Sequence, residues 1–205
     1  MNPNPSALEG ASELYVRQSH ELAELFGFET RNKYAITTPD RTQVAFAAEQ
    51  QRGILGFLLR QFLGHWRPFE IHFMCPDRRP LFRAVHPFRF LFQRLEVFDA
   101  GGRALGAIQQ RFALLTKRFD VLGPGGEVLL EMRSGLFKLW TFPFFRGEEQ
   151  RAVIEKKWGG ALGELFTDKD NFRVRFQGRL TAAERTLILA AAIFVDLQYF
   201  ERKAG

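Results

Sequence analysis

The sequence predicts a mainly β fold: a sheet wrapped around one apolar C-terminal helix. Three observations carry this. Short alternating runs separated by turn residues recur along most of the chain, the pattern of a barrel or sandwich. The chain holds 23 phenylalanines, and aromatic residues favour strands. Finally, Leu187 to Val195 is an unbroken apolar run, and a helix that is apolar all round is buried in a core or in a bilayer.

That last stretch organises the rest. Thr181 followed by Glu184 is a capping-box pattern, which starts a helix there. The run ends at Asp196 and is far shorter than the roughly 20 residues of a membrane span, so its length favours a protein core over a bilayer. Leu187, Leu189, Ile193, Phe194, Leu197 and Phe200 are its expected core residues. Asp196 belongs to the same helix, so burial obliges it to find a donor on a strand.

Taken in order, residues 1–12 are polar with two prolines and are expected to be disordered, leaving 13–205 as a single domain. They lack a basic region followed by an apolar run, so no secretory signal is expected. Leu14, Leu22, Leu25 and Phe26 among charges suggest a short amphipathic helix or a loose lead-in. Residues 34–38 and 43–47 flank Pro39, Asp40 and Arg41 as strand, turn, strand. Leu55, Leu58, Leu59, Phe62 and Trp66 have helical spacing. That segment would cap the barrel mouth or lie on a membrane with Trp66 at headgroup level.

Residues 69–73 and 81–85 read as strands parted by a Pro76 to Pro80 break. Phe88, Phe90 and Phe92 alternate with Arg89 and Leu91, while Leu95 and Val97 are out of phase. A bulge near Gln93 and Arg94 would reconcile the two. The glycine-rich stretches after Asp99 and at Gly123 are hairpin turns. Pro143 limits the strand around Trp140 to Phe145 to an edge or a strand end. Phe172, Val174 and Phe176 alternate with Arg173 and Arg175, the clearest half-buried strand of the chain.

Charge is unevenly spread. The net charge is +6, yet residues 78–118 hold nine basic and two acidic residues, a net of +7, and the remainder holds 20 and 21. Arg78, Arg79, Arg83, Arg89, Arg94, Arg103, Arg111, Lys117 and Arg118 therefore form the candidate phosphate-binding set. Such a surface suits anionic lipid headgroups or nucleic acid, and ordinary solvated strand faces are the alternative. Phe57, Trp66, Trp140 and Phe145 are the candidate membrane contacts. Cys75 is the sole cysteine, which excludes an intrachain disulfide. Four scattered histidines offer no zinc-ligand spacing. Ser134 is not in a nucleophile elbow, and no acid–base pair stands out, so no enzyme is expected.

From Trp158 onward the sequence resembles the phospholipid scramblase family. The resemblance rests on Trp158, on Phe166, Thr167, Asp168, Asp170, Asn171, Phe172 and Phe176, and on Phe194, Asp196, Phe200 and Glu201 at the end of the helix. Weaker matches extend it upstream to about Phe69. It implies a tubby-like fold, a closed antiparallel barrel of about twelve strands around the buried helix. It also implies movement of phospholipids between leaflets, stimulated by calcium, by a cytoplasmic, peripherally membrane-associated protein. A soluble lipid-headgroup or nucleic-acid binding module without transport is the competing expectation. The family's calcium loop would begin at Asp168 and Asp170. Its later positions are Phe172, Val174, Phe176 and Arg179 here, a poor set of oxygens for calcium, so Asp168 and Asp170 are left as the only candidate metal ligands and no other cofactor is expected. The family's cysteine cluster has no counterpart between Phe88 and Arg94.

Overall fold

In the computed structural model, the structure describes residues 8, 10–18, 32–50, 68–113, 116–135, 140–157 and 171–199. Twelve strands close into an antiparallel barrel in which each strand pairs with its sequence neighbour and the last returns to the first. They are β1 (Glu13–Gln18), β2 (Lys33–Thr37), β3 (Gln43–Gln50), β4 (Phe69–Met74), β5 (Pro80–His86) and β6 (Arg94–Asp99). The second half comprises β7 (Ala104–Gln110), β8 (Lys117–Leu122), β9 (Val128–Ser134), β10 (Thr141–Arg146), β11 (Glu149–Lys157) and β12 (Asn171–Phe176). A helix, α1 (Ala182–Tyr199), follows. The mainly β barrel around a C-terminal helix is thus as expected.

Alternation places the side chains. Leu14 and Val16 of β1, Leu95 and Val97 of β6, and Phe172 and Val174 of β12 all point into the core and are fully buried. A barrel of this size leaves an interior that must be filled, and α1 fills it. Every residue from Leu187 to Val195 is at most 2% exposed, on all sides of the helix. Each leucine, isoleucine, valine or phenylalanine seated this way gains about 1.5–3 kcal/mol over an exposed one. No helix among the described residues is long and apolar enough to cross a membrane.

Both ends of α1 are fixed by the chemistry the sequence suggested. At its start the Glu184 amide donates to Thr181 Oγ1 at 3.2 Å, and the Thr181 amide donates to Glu184 Oε2 at 2.8 Å, a reciprocal capping box. Glu184 is buried and also ion-paired with Arg146 of β10, which ties the cap to the wall. Near the other end the Tyr34 hydroxyl of β2 donates to Asp196 Oδ2 at 2.9 Å, the wall donor that a buried carboxylate needs. Phe194 lies edge-on to Phe119 of β8 and tilted against His86 of β5.

The two ends of the barrel differ. Residues 38–42, 75–79, 100–103, 123–127 and 147–148 join strands at the end where α1 begins. Four of these hairpins share one geometry: the first of five residues bonds through its amide to the carbonyl of the last, and accepts from the amide of the fourth. That fourth residue has positive φ: Arg41 (67°), Arg78 (67°), Gly102 (84°) and Gly126 (87°). A register shift sits beside each, the signature of a hairpin closed by a bulge. At the opposite end the stretches of sequence between strands are longer; among the described residues that end carries 32, 68, 87–93, 111–113, 116, 135 and 140.

Three expectations need correction. Residues 13–18 are a strand, not a helix or lead-in; β1 pairs with β2 and β12 and closes the barrel. Only two inward residues, Leu14 and Val16, carry its alternation, so the outward charges mask it. Residues 87–93 are a loop, not a strand, and the phase change at Leu95 marks the start of β6 rather than a bulge. Phe92 has φ of 53°, incompatible with extended pairing. Pro143 lies within a barrel that has no edge. Among the described residues the ladder between β10 and β9 covers only Phe144 and Phe145, so the missing amide falls outside it. Within the stretch expected to be disordered, Leu8 and Ala11 pack against the core, and both their carbonyls accept from Arg185.

Candidate functional site

The long-connection end of the barrel collects the exposed apolar surface. Of the six exposed large hydrophobic residues among the described residues, five lie there: Phe88 (54%), Phe90 (61%), Leu91 (65%), Phe92 (44%) and Phe112 (73%). The first four occupy the loop between β5 and β6, and Phe112 follows β7. The sixth, Val128, starts β9 at the opposite end.

A polar network ties the first of these loops to the ends of β5 and β7. Gln93 donates its amide to Gln110 Oε1 at 3.0 Å, and its carbonyl accepts from the Gln110 amide at 2.8 Å. Gln109 Nε2 donates to the Phe92 carbonyl at 3.0 Å. Gln93 Nε2 donates to the Arg89 carbonyl at 3.1 Å, while Gln93 Oε1 accepts from His86 Nε2 at 2.8 Å. His86 is fully buried and stacked on Phe69 at 4.6 Å. The carbonyls of Arg89 and Phe92 and both backbone groups of Gln93 are therefore paired, and the apolar side chains are exposed above this base. Sequence reading missed these residues as a surface. The available signal was Leu91, which occupies the phase where a half-buried strand would carry a polar residue.

The predicted cations do not gather into one patch. Arg78, Arg79 and Arg103 sit in the tight turns at the opposite end, with Arg79 bonded to Asp77 at 2.7 Å and Arg103 to Asp99 at 3.1 Å. Backbone and side-chain donors of Arg103 hold the Asp99 carboxyl below its ordinary range, and the Arg79 guanidinium does the same to Asp77. On the outer wall Arg83 meets Glu70 at 3.2 Å and covers the Phe98 ring at 4.6 Å. Arg94 meets Glu96 at 3.1 Å, and Arg118 meets Glu131 at 3.2 Å. Arg89, Arg111 and Lys117 lie at the long-connection end. Arg111 pairs with Asp120 at 2.6 Å. Lys117 sits over the Tyr199 ring at 4.2 Å, beside the end of α1, where burial pushes the tyrosine hydroxyl up to about 12. Arg89 is exposed within the aromatic loop itself.

Of the proposed membrane contacts, Trp140 is half-buried at the long-connection end, with its carbonyl accepting from the Lys156 amide at 2.9 Å. Phe145 is half-buried under Arg133 at 5.3 Å, on the flank of the barrel. Phe57, Trp66, Asp168, Asp170 and Phe200 lie outside the described residues. The remaining expected core residues of α1, Leu187, Leu189, Ile193, Phe194, Asp196 and Leu197, are all buried.

The later positions of the supposed calcium loop do not fit a cation. Phe172, Val174 and Phe176 are buried wall residues of β12, paired on both sides with β1 and β11. Arg173 is committed to Glu155 through two bonds, at 3.0 and 2.7 Å. A strand with its backbone in two ladders has no loop carbonyls to turn toward an ion. Among the described residues no group of three or more His, Cys, Asp or Glu side chains could hold a metal.

Comparison with known proteins places the chain in a family. The Scramblase family model matches residues 1–202. Human phospholipid scramblase 2 is 29% identical over 97% of this chain and 71% of its own length. Mouse phospholipid scramblase 1 is 30% identical over 98% of this chain and 64% of its own length. A more distant relative, altered inheritance rate of mitochondria protein 25 of Saccharomyces cerevisiae, is 24% identical over 91% of the chain and 69% of its own length. No solved structure gives a significant match. With nearly its whole length matched, the chain belongs to the scramblase family.

Proposed function

We propose that this protein acts at a membrane surface as a phospholipid scramblase-like protein, binding anionic phospholipid and promoting movement of phospholipids between leaflets. The observation that carries the reading is the concentration of exposed apolar residues at one end of the barrel, with Arg89 exposed among them. Exposed apolar patches on soluble folds mark sites that meet lipid or protein, and neighbouring cations favour an anionic surface. The names of the similar proteins point the same way. The reading assigns the protein no covalent chemistry and a peripheral, cytoplasmic position.

The filled barrel favours a second reading. With α1 buried on all sides, the described interior offers no polar path for a headgroup. A binding module for lipid headgroups or nucleic acid, without transport, fits that packing as well. Reconstitution into vesicles carrying a fluorescent phospholipid separates the two. If the first reading holds, dithionite bleaches inner-leaflet lipid faster than in protein-free vesicles. No acceleration, with or without calcium, in vesicles to which the protein is bound would leave the binding module.

A further inference from the structure

We propose that the loop 87–93, together with Phe112, is a membrane-inserting wedge, so that the barrel docks end-on with the C-terminus of α1 toward the bilayer. The inference rests on the membrane-surface reading above and adds to it the inserting residues and the orientation.

Four observations support it. Four apolar side chains within five residues are exposed, and a fifth projects from the neighbouring loop. The loop is built rather than frayed: Gln93, Gln109, Gln110 and His86 bond one another and the backbone groups of Arg89, Phe92 and Gln93. Fixing a base in this way while leaving rings in water has no folding benefit, since burial of those rings would stabilise the fold. Finally, neither 87–93 nor 111–116 contains an acidic residue, and 87–93 holds the exposed Arg89, while Arg111 is paired with Asp120 of β8.

These features choose the occupant. A convex loop tip with outward rings has no groove for a peptide to enter. A bilayer interface accepts such a shape, with apolar groups at the acyl boundary and Arg89 at the phosphates. A second copy of the chain would bring Arg89 against like charge, which opposes self-association through this end. The tight-turn end instead carries carboxylates in its turns, Asp77 and Asp99, which pair with Arg79 and Arg103.

The test is flotation of the full chain with vesicles of phosphatidylcholine, with and without phosphatidylserine. The variant Phe88→Ser/Phe90→Ser/Leu91→Ser is compared with the wild type and with Val128→Ser, which alters the exposed apolar residue at the opposite end. The wedge predicts that the triple variant loses vesicle affinity by at least about tenfold, since partial burial of even one ring is worth that much. Val128→Ser floats like the wild type. Arg89→Glu weakens binding only to the vesicles with phosphatidylserine, and more so at low salt.

Should the triple variant misfold, Leu91→Cys and Val128→Cys carrying an environment-sensitive dye give the same answer. The dye at residue 91 shifts to the blue and is quenched by lipid-attached quencher; the dye at residue 128 does neither. Wild type and triple variant floating equally, or a dye at 91 that stays in water on bound protein, would overturn the wedge and leave the membrane reading standing. Absence of wild-type binding to either vesicle would remove the membrane reading and the wedge with it. A wild-type dimer that the triple variant breaks, with no flotation, would assign the loop to a second copy instead.

Discussion

Replacing Tyr34 with Phe removes one hydroxyl from the junction between wall and helix. That hydroxyl donates to Asp196 Oδ2 at 2.9 Å, and both residues are buried, at 1% and 3% exposure. The bond spans 162 residues of sequence, so it forms only when α1 is inside the barrel. A hydrogen bond contributes about 0.5–1.5 kcal/mol, about 1.5–3 where the acceptor is charged, and loss of a partner at a buried oxygen adds to this. Tyr34→Phe should therefore destabilise the fold by about 2 kcal/mol. For a chain of this size that is a fall in Tm of roughly 4–8 °C. Urea unfolding followed by far-UV circular dichroism measures it, with an unchanged m value showing that the unfolded state is the same. The companion Asp196→Ala, and the double variant, complete a cycle whose coupling should exceed about 1 kcal/mol. A Tyr34→Phe loss below about 0.5 kcal/mol, the range of an ordinary surface change, with an additive cycle, would refute the seating of α1 described here.

Other perturbations test separate joints of the same structure. Gly106 has φ of 145°, and a Cβ there would lie 2.1 Å from the Leu122 carbonyl oxygen and 3.1 Å from Leu187 Cδ1. Gly106→Ala should thus cost at least the roughly 1–3 kcal/mol of a forced backbone, read as a lower urea midpoint. Thr181→Ala removes the cap that receives the Glu184 amide and should cost about 1 kcal/mol, again by urea unfolding. Cys75 is buried, and burial raises its thiol above the usual range. At a given pH near 8 it therefore holds less thiolate than a free cysteine. Its reaction with a disulfide reagent should be slow in the native protein and reach the free-thiol rate in urea.

The sequence was most legible where one physical demand acts alone. The helix was readable because the run Leu187 to Val195 is apolar on every face and its cap is local, from Thr181 to Glu184. The need of Asp196 for a wall donor followed from burial, although Tyr34 as the donor did not, since nothing local links residues so far apart. β12 was clear because its two faces differ sharply in character. β1 was obscured because only Leu14 and Val16 face inward. The loop 87–93 was misread for the opposite reason: its rings mimic strand alternation while all of them face solvent. Alternation in sequence records that neighbours point to opposite sides; it does not record that either side has a partner. The charge excess of 78–118 was real, but carboxylates from β4, β8 and β9 answer much of it across strands. Pairing of that kind depends on register, which composition does not contain.

The account depends most on α1 being the core of the barrel, and native-state hydrogen exchange of its amides measures that most directly. The amides from Leu187 to Val195 should exchange only through global unfolding, with the same opening free energy and urea dependence as those of Phe172 and Val174 in β12. The addition of vesicles should not change this. Exchange of the helix amides at a free energy well below that of the strands would mean that α1 leaves the barrel while the barrel stays folded, and would contradict the account.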